Sequence, residues 1–310
     1  MHMQGTGRMD GGYGSLEEFR REVILPYLNH PISALEIGPF IRPTLGKAEA
    51  DLKTLDCYDT DELRQHAIRI GENPDSVIHV DYVCKDENYC NVVTDEFDMI
   101  IAAHVAEHVV GFVGYFQTLR KLLKHGGHCM IVLPDKRYSF DKFRSDTSLA
   151  YLIFQHLQPE FPAKAFHALE SAMLYDKGYI NAENVAEERL SIDSLRKALD
   201  GWHPGVHSHV FQFEDVITKV FAPLCAMGLI DFDVLEARMS HQFGEFVVVL
   251  RAGRECTSWD SVKDFYSLSR DTITPKRGLL HALESKKNML RRWYSSRGNQ
   301  DGAGDPRTKK

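Results

Sequence analysis

The chain lacks the features that mark secreted, disulfide-bonded and membrane-spanning proteins. Its six cysteines are scattered without a C-x-x-C pair, which disfavours a zinc knuckle or a disulfide scaffold and favours reduced thiols in a cytosol. No apolar run approaches the roughly 18 residues that span a bilayer, and the polar, glycine-rich start shows no signal-peptide pattern. We therefore expect a soluble cytoplasmic protein without a transmembrane segment.

An excess of basic charge is missing as well. The formal net charge is −7, whereas nucleic-acid-binding proteins normally carry a basic footprint. Apolar residues make up 43% of the chain and charged residues 26%, which is ordinary for a globular protein. With 310 residues, the chain can form one large domain with insertions or two smaller domains. We expect no nucleic-acid partner.

Apolar runs recur at the spacing of an alternating α/β domain. Because near-continuous apolar strands alternate with helices, we predict a parallel sheet that is covered on both faces. The clearest helix spans 112–124, and Gly126-Gly127 is predicted to end it. A glycine-containing link at 241–244 favours a hairpin, so the last strand is predicted to be antiparallel. The predicted strands are 34–37, 52–55, 76–80, 97–103, 128–133, 229–235 and 245–251.

Three regions depart from this rhythm. Residues 1–14 are expected to be a flexible N-terminus, before a helix that begins with a capping box at Ser15. The pattern from about 140 to 212 is mostly helical, and we interpret it as an insertion, or lid, over the carboxyl edge of the sheet within a domain of 15–252. Residues 253–310 are predicted to form a helical extension that packs on its own domain, followed by a disordered tail from about residue 295.

Polar residues with possible chemistry follow the first two strands. In Glu36-Ile37-Gly38, the glycine lets the backbone approach a ligand closely. Asp56 lies about 20 positions later, where a carboxylate can accept hydrogen bonds from ribose hydroxyls. Phe40 and Arg42 stand where a Glu-x-Gly-x-Gly-x-Gly turn would carry its later glycines. Dinucleotide enzymes need glycines at this turn so that a pyrophosphate can lie against the backbone, and their loss argues against NAD.

Together with two later segments, these motifs resemble the class I S-adenosylmethionine-dependent methyltransferases. The segments are 97–108, which ends in Glu107-His108, and 119–127. The resemblance covers about residues 32–252. It implies a Rossmann-like α/β sheet that is mostly parallel with an antiparallel last strand, interrupted by a helical insertion, and it implies S-adenosylmethionine as the cofactor.

The resemblance also implies the contacts to the cofactor. The first turn would lie against the ligand, the second strand would bind its ribose, the third its adenine amino group, and the fourth its methionyl part. In that order the implied residues are Glu36, Gly38 and Pro39, then Asp56, then Asp81 with Tyr82, then Ala103 and His104.

The polar segment after the fifth strand is in the acceptor-binding position of this fold. It resembles a Pro-Asp-x-Arg-x-x-Phe-Asp element of bacterial methyltransferases associated with surface-polysaccharide or specialised-metabolite pathways. The resemblance implies a catalytic role for Asp135 and acceptor binding by Arg137, Tyr138 and Arg144, since guanidinium groups hold phosphates or carboxylates. An Asp–Arg network that braces the insertion is the alternative.

Three histidines are candidates for a general base. His108 follows the fourth strand and overlooks the transfer site, whereas His207 and His209 lie in a histidine-rich stretch at 202–211. Residues at i and i+2 share one face of a strand, which would also suit a metal. Because no Asp or Cys partner is obvious in the sequence, we predict no metal site, and structural histidines remain the alternative to a base.

The sequence therefore predicts methyl transfer by in-line displacement to an oxygen of a sugar hydroxyl or a small metabolite. An N-methyltransferase acting on a small molecule remains open, and so does a non-catalytic partner subunit, because the glycine motif is incomplete. An NAD-dependent oxidoreductase fits poorly without a Gly-x-Gly-x-x-Gly turn. The expected partner is a small-molecule or glycan acceptor, and the oligomeric state is left open.

Overall fold

The computed structural model describes residues 14–28, 32–174, 192–201, 203 and 205–253. Within these residues a seven-stranded sheet has the order β3-β2-β1-β4-β5-β7-β6. Every strand pair is parallel except the two made by β7, which runs antiparallel to both of its neighbours. The strands are β1 (Ile32–Ile37), β2 (Ala50–Asp56), β3 (Tyr82–Val83), β4 (Phe97–Ala103), β5 (Leu123–Pro134), β6 (Phe232–Ser240) and β7 (Glu245–Ala252).

An α-helix connects β2 to β3 and another connects β4 to β5, and much of the described insertion between β5 and β6 is also helical. None of the described helices has the length and apolarity that a membrane span requires. A π-helical segment, Val216–Phe221, joins the last two helices, and the 3₁₀ turns are Leu25–Tyr27, Pro74–Ser76, Tyr89–Asn91 and Lys136–Tyr138. The α-helices are α1 (Leu16–Ile24), α2 (Thr60–Ile70), α3 (Phe112–Leu122), α4 (Leu149–Leu157), α5 (Ala163–Leu174), α6 (Ile192–Leu199), α7 (Phe213–Asp215) and α8 (Ala222–Ala226).

The sheet is buried on both faces, as the continuous apolar runs predict. Successive residues of β4 point to opposite sides, so that Ile100 packs in the same cluster as Phe116 of α3, whereas Ile101 packs with Phe19 of α1. Both clusters are made of buried side chains, with partly buried apolar residues packed around them. The predicted α/β sheet, with its antiparallel last strand and hairpin, is confirmed.

The predicted third strand at 76–80 is wrong. The strand that pairs with β2 is Tyr82–Val83, and the residues before it form a 3₁₀ turn and an irregular segment. Val77 and Val80 are buried against Leu63 and Ala67 of α2. The apolar pattern at 76–80 therefore comes from packing on a helix.

The predicted end of the helix at 112–124 is also wrong. Helix α3 ends at Leu122, and Leu123 already pairs with Phe97 as the first residue of β5. Gly126 has a φ of 76° and lies within β5, where the register against β4 shifts between Phe97 and Met99. The two glycines thus allow an irregularity in a strand.

The N-terminal helix begins where the capping box predicts and ends at Ile24. The Ser15 hydroxyl accepts a hydrogen bond from the Glu18 amide at 3.1 Å. A 3₁₀ turn follows directly after Ile24. In the second half of the predicted helical insertion, the structure describes one helix, Ile192–Leu199. The N-terminus before Gly14 and the C-terminal extension after Gly253 lie outside the described residues.

We expect Gly244→Ala to destabilise the fold by about 2–4 kcal/mol. Gly244 has a φ of 67° in the β6–β7 hairpin, and an added Cβ would overlap the Cβ of Tyr138. Gly228 has a φ of 71° but faces open space. Gly228→Ala is therefore the matched control and should cost only the roughly 1–2 kcal/mol of the left-handed conformation. Equal losses in urea unfolding of the two variants would contradict the packing of Tyr138 on this hairpin.

Candidate active site

The carboxyl ends of the central strands form one continuous edge. Ile37 of β1 pairs with Leu55 of β2 on one side and with Ala102 of β4 on the other. Gly38, Asp56 and Ala103, which follow these three residues, therefore lie side by side. The sheet order reverses between β1 and β4, and ligands of open α/β sheets bind at such a switch point.

The backbone on both sides of the switch point is strained. Two non-glycine residues in the described chain have a positive φ, namely Phe40 after β1, at 49°, and His104 after β4, at 56°. Gly38 has a φ of 68°, and a Cβ on it would come within 3.2 Å of the Val105 side chain. Strain of this kind persists where the surrounding structure fixes it, and it concentrates at ligand sites.

Glu36 lies beneath the first turn and is buried. Its Oε1 accepts a hydrogen bond from the Thr44 amide at 2.7 Å, whereas Oε2 has no partner among the described residues. Burial raises the pKa of this carboxyl, and the hydrogen bonds from the Thr44 and Leu45 region counteract the rise. Glu36 thus holds the loop after β1 in place, and its Oε2 can still accept a hydrogen bond.

Asp56 ends β2 at the position that the sequence predicts. Its Oδ1 accepts a hydrogen bond from the Tyr58 amide at 3.1 Å, so the loop after β2 folds around the carboxylate. Burial raises the pKa of Asp56. A ribose contact by this residue remains a prediction.

Asp81 precedes β3, whereas the sequence analysis placed it after the third strand. Its Oδ2 accepts a hydrogen bond from the Thr54 amide at 2.9 Å. Tyr82 lies in β3 and donates its hydroxyl to Asp95 at 2.7 Å. Asp86 follows β3 in the chain and was missed. It lies in an exposed turn where its Oδ1 accepts a hydrogen bond from the Asn88 amide at 2.9 Å.

His104 sits between two buried carboxylates. Its Nδ1 lies 3.2 Å from Oε1 of Glu107, and its Nε2 lies 2.7 Å from Oε2 of Glu245. Partial removal from water lowers the pKa of His104, but the two carboxylates outweigh this effect and hold the pKa above its ordinary value. Glu245 also binds Arg20 of α1 through two hydrogen bonds of 2.9 Å. A chain of charged groups therefore runs from α1 to the end of β4.

Asp135 is fully engaged by protein donors. Its oxygens accept hydrogen bonds from the Arg137 amide and guanidinium and from the Phe213 amide, over 2.6–3.1 Å. Arg137 also binds Glu214, and the Tyr138 hydroxyl lies 3.1 Å from Nδ1 of His241. This is the bracing network that the sequence analysis held as the alternative. A catalytic role for Asp135 and acceptor binding by Arg137 and Tyr138 stay predictions.

Asp141 joins a buried arginine to His207. Its Oδ1 accepts a hydrogen bond from Arg144 at 2.9 Å, and its Oδ2 lies 2.6 Å from Nδ1 of His207. Arg144 also donates to the His207 carbonyl at 2.7 Å and to Glu170 at 2.6 Å. Burial raises the pKa of Asp141, but His207 and Arg144 together hold it below the ordinary value. The predicted acceptor-binding Arg144 is 1% exposed in its side chain and orients His207 from behind.

The segment from Val206 to His209 brings His207 against the loop after β4. The His209 amide donates to the Glu107 carbonyl at 3.0 Å, and Nδ1 of His108 lies 3.2 Å from the Val206 carbonyl. As a result, the rings of His108 and His207 meet edge-on with centroids 4.6 Å apart. Burial and the neighbouring His207 lower the pKa of His108 to about 4. Two of the three base candidates are thus adjacent.

His209 lies apart from this pair. Its ring is buried among Phe112, Phe211 and Tyr151, and Nε2 lies 3.3 Å from the Val110 carbonyl. Burial lowers the pKa of His209 well below its ordinary value. This is the environment of a core histidine, and the catalytic role of His209 stays a prediction.

Most of the chain matches a known protein family. Residues 15–210 match the family model described as a methyltransferase domain. The chain belongs to this family. It is a methyltransferase that depends on S-adenosylmethionine, as its resemblance to the class I enzymes implies. No curated protein sequence matches the methyltransferase.

Solved structures of other methyltransferases are similar to this chain at low sequence identity. One from Mesorhizobium loti has 14% identity and a TM-score of 0.42, with 77% of this chain and 98% of that one covered. One from Clostridium acetobutylicum has 11% identity and a TM-score of 0.41, with coverages of 79% and 94%. The N-methyltransferase NodS from Bradyrhizobium japonicum, in complex with S-adenosyl-L-homocysteine, has 15% identity and a TM-score of 0.36, with coverages of 78% and 90%. TM-scores below 0.5 carry no conclusion about the acceptor.

Besides Asp86, four site residues of the methyltransferase received no role from the sequence, namely Arg20, Glu107, Asp141 and Glu245. Glu107 was part of a motif, but its burial between two histidines was not foreseen. Asp141 stood in the polar segment without a partner, and Glu245 and Arg20 lie in separate elements. A glutamate directly before an apolar run, as Glu245 is before 246–250, was the one local signal.

Proposed function

We propose that the methyltransferase transfers the methyl group of S-adenosylmethionine to an oxygen of a sugar hydroxyl or a small metabolite. The observation that supports an oxygen acceptor is the pair of imidazole Nε2 atoms of His108 and His207. Neither atom has a hydrogen-bond partner among the described residues. A hydroxyl is a weak nucleophile that needs activation, whereas an amine with a lone pair needs less. A bacterial surface-polysaccharide or specialised-metabolite pathway is part of this proposal.

The carboxyl edge of the sheet fits the cofactor. When bound, S-adenosylmethionine supplies an already activated methyl group. Gly38 and Pro39 would lie against it, since only a residue without a Cβ leaves the turn after β1 open beside Val105. Asp56 would accept hydrogen bonds from the ribose hydroxyls. The residues proposed for the rest of the ligand are Glu36 beneath the turn, Asp81, Tyr82 and Asp86 on the adenine side, and Ala103 and His104 on the methionyl side.

The chain's own residues then orient and activate the acceptor. Asp141 fixes the ring of His207 through Nδ1, so that Nε2 keeps its lone pair. The Val206 carbonyl fixes His108 in the same way. We assign to this pair the activation of the acceptor hydroxyl, and to Arg144 the positioning of Asp141.

The helical insertion is proposed as the lid over the acceptor. Helices α4 and α5 follow the polar segment after β5, and α5 contributes Glu170 to Arg144, directly behind His207. Arg137 is exposed in its side chain to about one third and remains the proposed contact for an anionic group on the acceptor.

The proposed activation predicts a specific loss in His207→Gln. We expect kcat with hydroxyl acceptors to fall about 10²–10⁴-fold. The affinity for S-adenosylmethionine should stay unchanged, because His207 contacts Asp141, Arg144 and His108, and the cofactor is assigned to other residues. The measurement is release of S-adenosylhomocysteine over a panel of sugar and small-molecule alcohols and amines. His128→Gln, a half-buried histidine near the opposite end of β5, is the matched control. Undiminished turnover of amines by His207→Gln would support the nitrogen alternative instead.

A further inference from the structure

We infer that Glu107, His108 and His207 form a binding site for one divalent transition-metal ion. Each of the three side chains offers one ligand atom, and these atoms lie within 4.8 Å of one another. The site departs from the sequence-based expectation of no metal, because Glu107 supplies the acidic partner that the histidine-rich stretch lacks.

The spacing of the ligand atoms suits a single ion. Nε2 of His108 lies 3.9 Å from Oε1 of Glu107. Metal–nitrogen and metal–oxygen bonds of about 2.0–2.2 Å place two ligands of a tetrahedral ion roughly 3.4 Å apart. Small movements of side chains would therefore complete the coordination. The backbone around the site is fixed by the hydrogen bond from the His209 amide to the Glu107 carbonyl at 3.0 Å.

Both histidines are held by outer hydrogen bonds in the manner of metal ligands. Nδ1 of His207 lies 2.6 Å from the Asp141 carboxylate, and Nδ1 of His108 lies 3.2 Å from the Val206 carbonyl. Such partners fix the ring and the tautomer and leave Nε2 to the ion. Arg144 in turn holds Asp141 at 2.9 Å.

The burial of Glu107 supports a bound cation independently of the distances between the ligand atoms. Its side chain is 1% exposed, and its Oε2 has no hydrogen-bond partner in the part of the chain that the structure describes. A buried carboxylate oxygen without a partner is unfavourable, and such groups in a native protein need an explanation. A cation bound by Glu107 and the two imidazoles would give Oε2 a partner, while Oε1 keeps its contact with Nδ1 of His104 at 3.2 Å.

The ligand set indicates the class of ion and its use. Two imidazoles and one carboxylate suit zinc, manganese, iron, cobalt or nickel, whereas magnesium and calcium prefer oxygen ligands alone. Three protein ligands leave a position open, and the His108 side chain is 26% exposed, so the site reaches solvent. An acceptor hydroxyl in that position would be made more acidic. With the ion bound, the two imidazoles would activate the hydroxyl as ligands of the ion and not as free bases. This use of the ion rests on the proposed function, while its binding does not.

The test is metal binding by the full chain after treatment with EDTA. We expect calorimetry with ZnCl₂ to show one equivalent bound, and Co²⁺ to give the visible absorption of a low-symmetry site. Glu107→Gln and His207→Gln should each weaken binding by more than 100-fold, and Asp141→Asn by about 10–100-fold. The control His128→Gln should bind as the unmodified chain does. Melting curves identify any variant that fails to fold.

The outcomes separate this site from the proposed function. The metal site is wrong if the unmodified chain binds neither Zn²⁺ nor Co²⁺. It is also wrong if Glu107→Gln and His207→Gln bind these ions as tightly as the unmodified chain does. If S-adenosylmethionine still binds in those preparations, the proposed function stands. Metal binding that requires all three residues supports the site even when no acceptor is turned over.

Discussion

Glu245→Gln should lower the free energy of unfolding by about 3–5 kcal/mol. Glu245 opens β7 and has no exposed surface in its side chain. Its carboxylate accepts two hydrogen bonds of 2.9 Å from Arg20 and lies 2.7 Å from Nε2 of His104. The substitution removes the negative charge and leaves the buried guanidinium of Arg20 without its counter-charge. Urea unfolding followed by circular dichroism measures the loss.

Helix α1 carries the matched control for this prediction. Arg21, the next residue, binds Glu49 through two hydrogen bonds as well, but its side chain is 43% exposed. Glu49→Gln should cost only about 0.2–1 kcal/mol, because exposed pairs gain little over their interaction with water. Losses of equal size in the two variants would show that the Arg20–Glu245 pair is not buried between α1 and the sheet.

Arg144→Met should destabilise the protein by about 3–5 kcal/mol, because it leaves the buried carboxylate of Asp141 without this cation. Arg144 binds Asp141 at 2.9 Å and Glu170 at 2.6 Å, and it donates to the His207 carbonyl. The same substitution should release the ring of His207 and lower kcat. The free energy of unfolding and the rate of S-adenosylhomocysteine release are the two measurements.

Lys142→Met provides the comparison within the same segment. Lys142 is exposed, with its ammonium 4.8 Å from the ring centre of Phe143. We expect its substitution to change stability by no more than about 0.5 kcal/mol. If Arg144→Met unfolds like Lys142→Met but raises KM for an anionic acceptor, then Arg144 binds the acceptor directly, as the sequence analysis predicted, and the bracing role is wrong.

The sheet could be predicted because strands that are buried on both faces have continuous apolar sequences. Residues 97–103 and 245–251 read as strands since both faces are covered, and 241–244 reads as a hairpin because of its glycine. The prediction of the third strand at 76–80 was wrong because Val77 and Val80 are buried against α2 and not within the sheet. The predicted end of α3 was wrong because Gly126-Gly127, which often ends a helix, lies instead at a register shift in β5.

Some site residues could be predicted from their local sequence, whereas others depend on contacts between distant parts of the chain. Gly38, Asp56 and His104 could be placed at the carboxyl edge because each directly follows a strand. The contacts that orient the chemistry link residues far apart in the chain, Asp141 with His207 across 66 residues and Arg20 with Glu245 across 225. No spacing rule connects such pairs, so the role of Asp141 and the burial of Glu107 emerged only from the fold.

The central claim is that the carboxyl edge of β1, β2 and β4 binds S-adenosylmethionine. Its most direct test is calorimetric titration of the full chain with S-adenosylmethionine, S-adenosylhomocysteine and NAD, repeated on Asp56→Ala. We predict micromolar binding of the first two, its loss in the variant, and no binding of NAD. Binding of NAD, or binding of S-adenosylmethionine that Asp56→Ala leaves unchanged, would contradict the account.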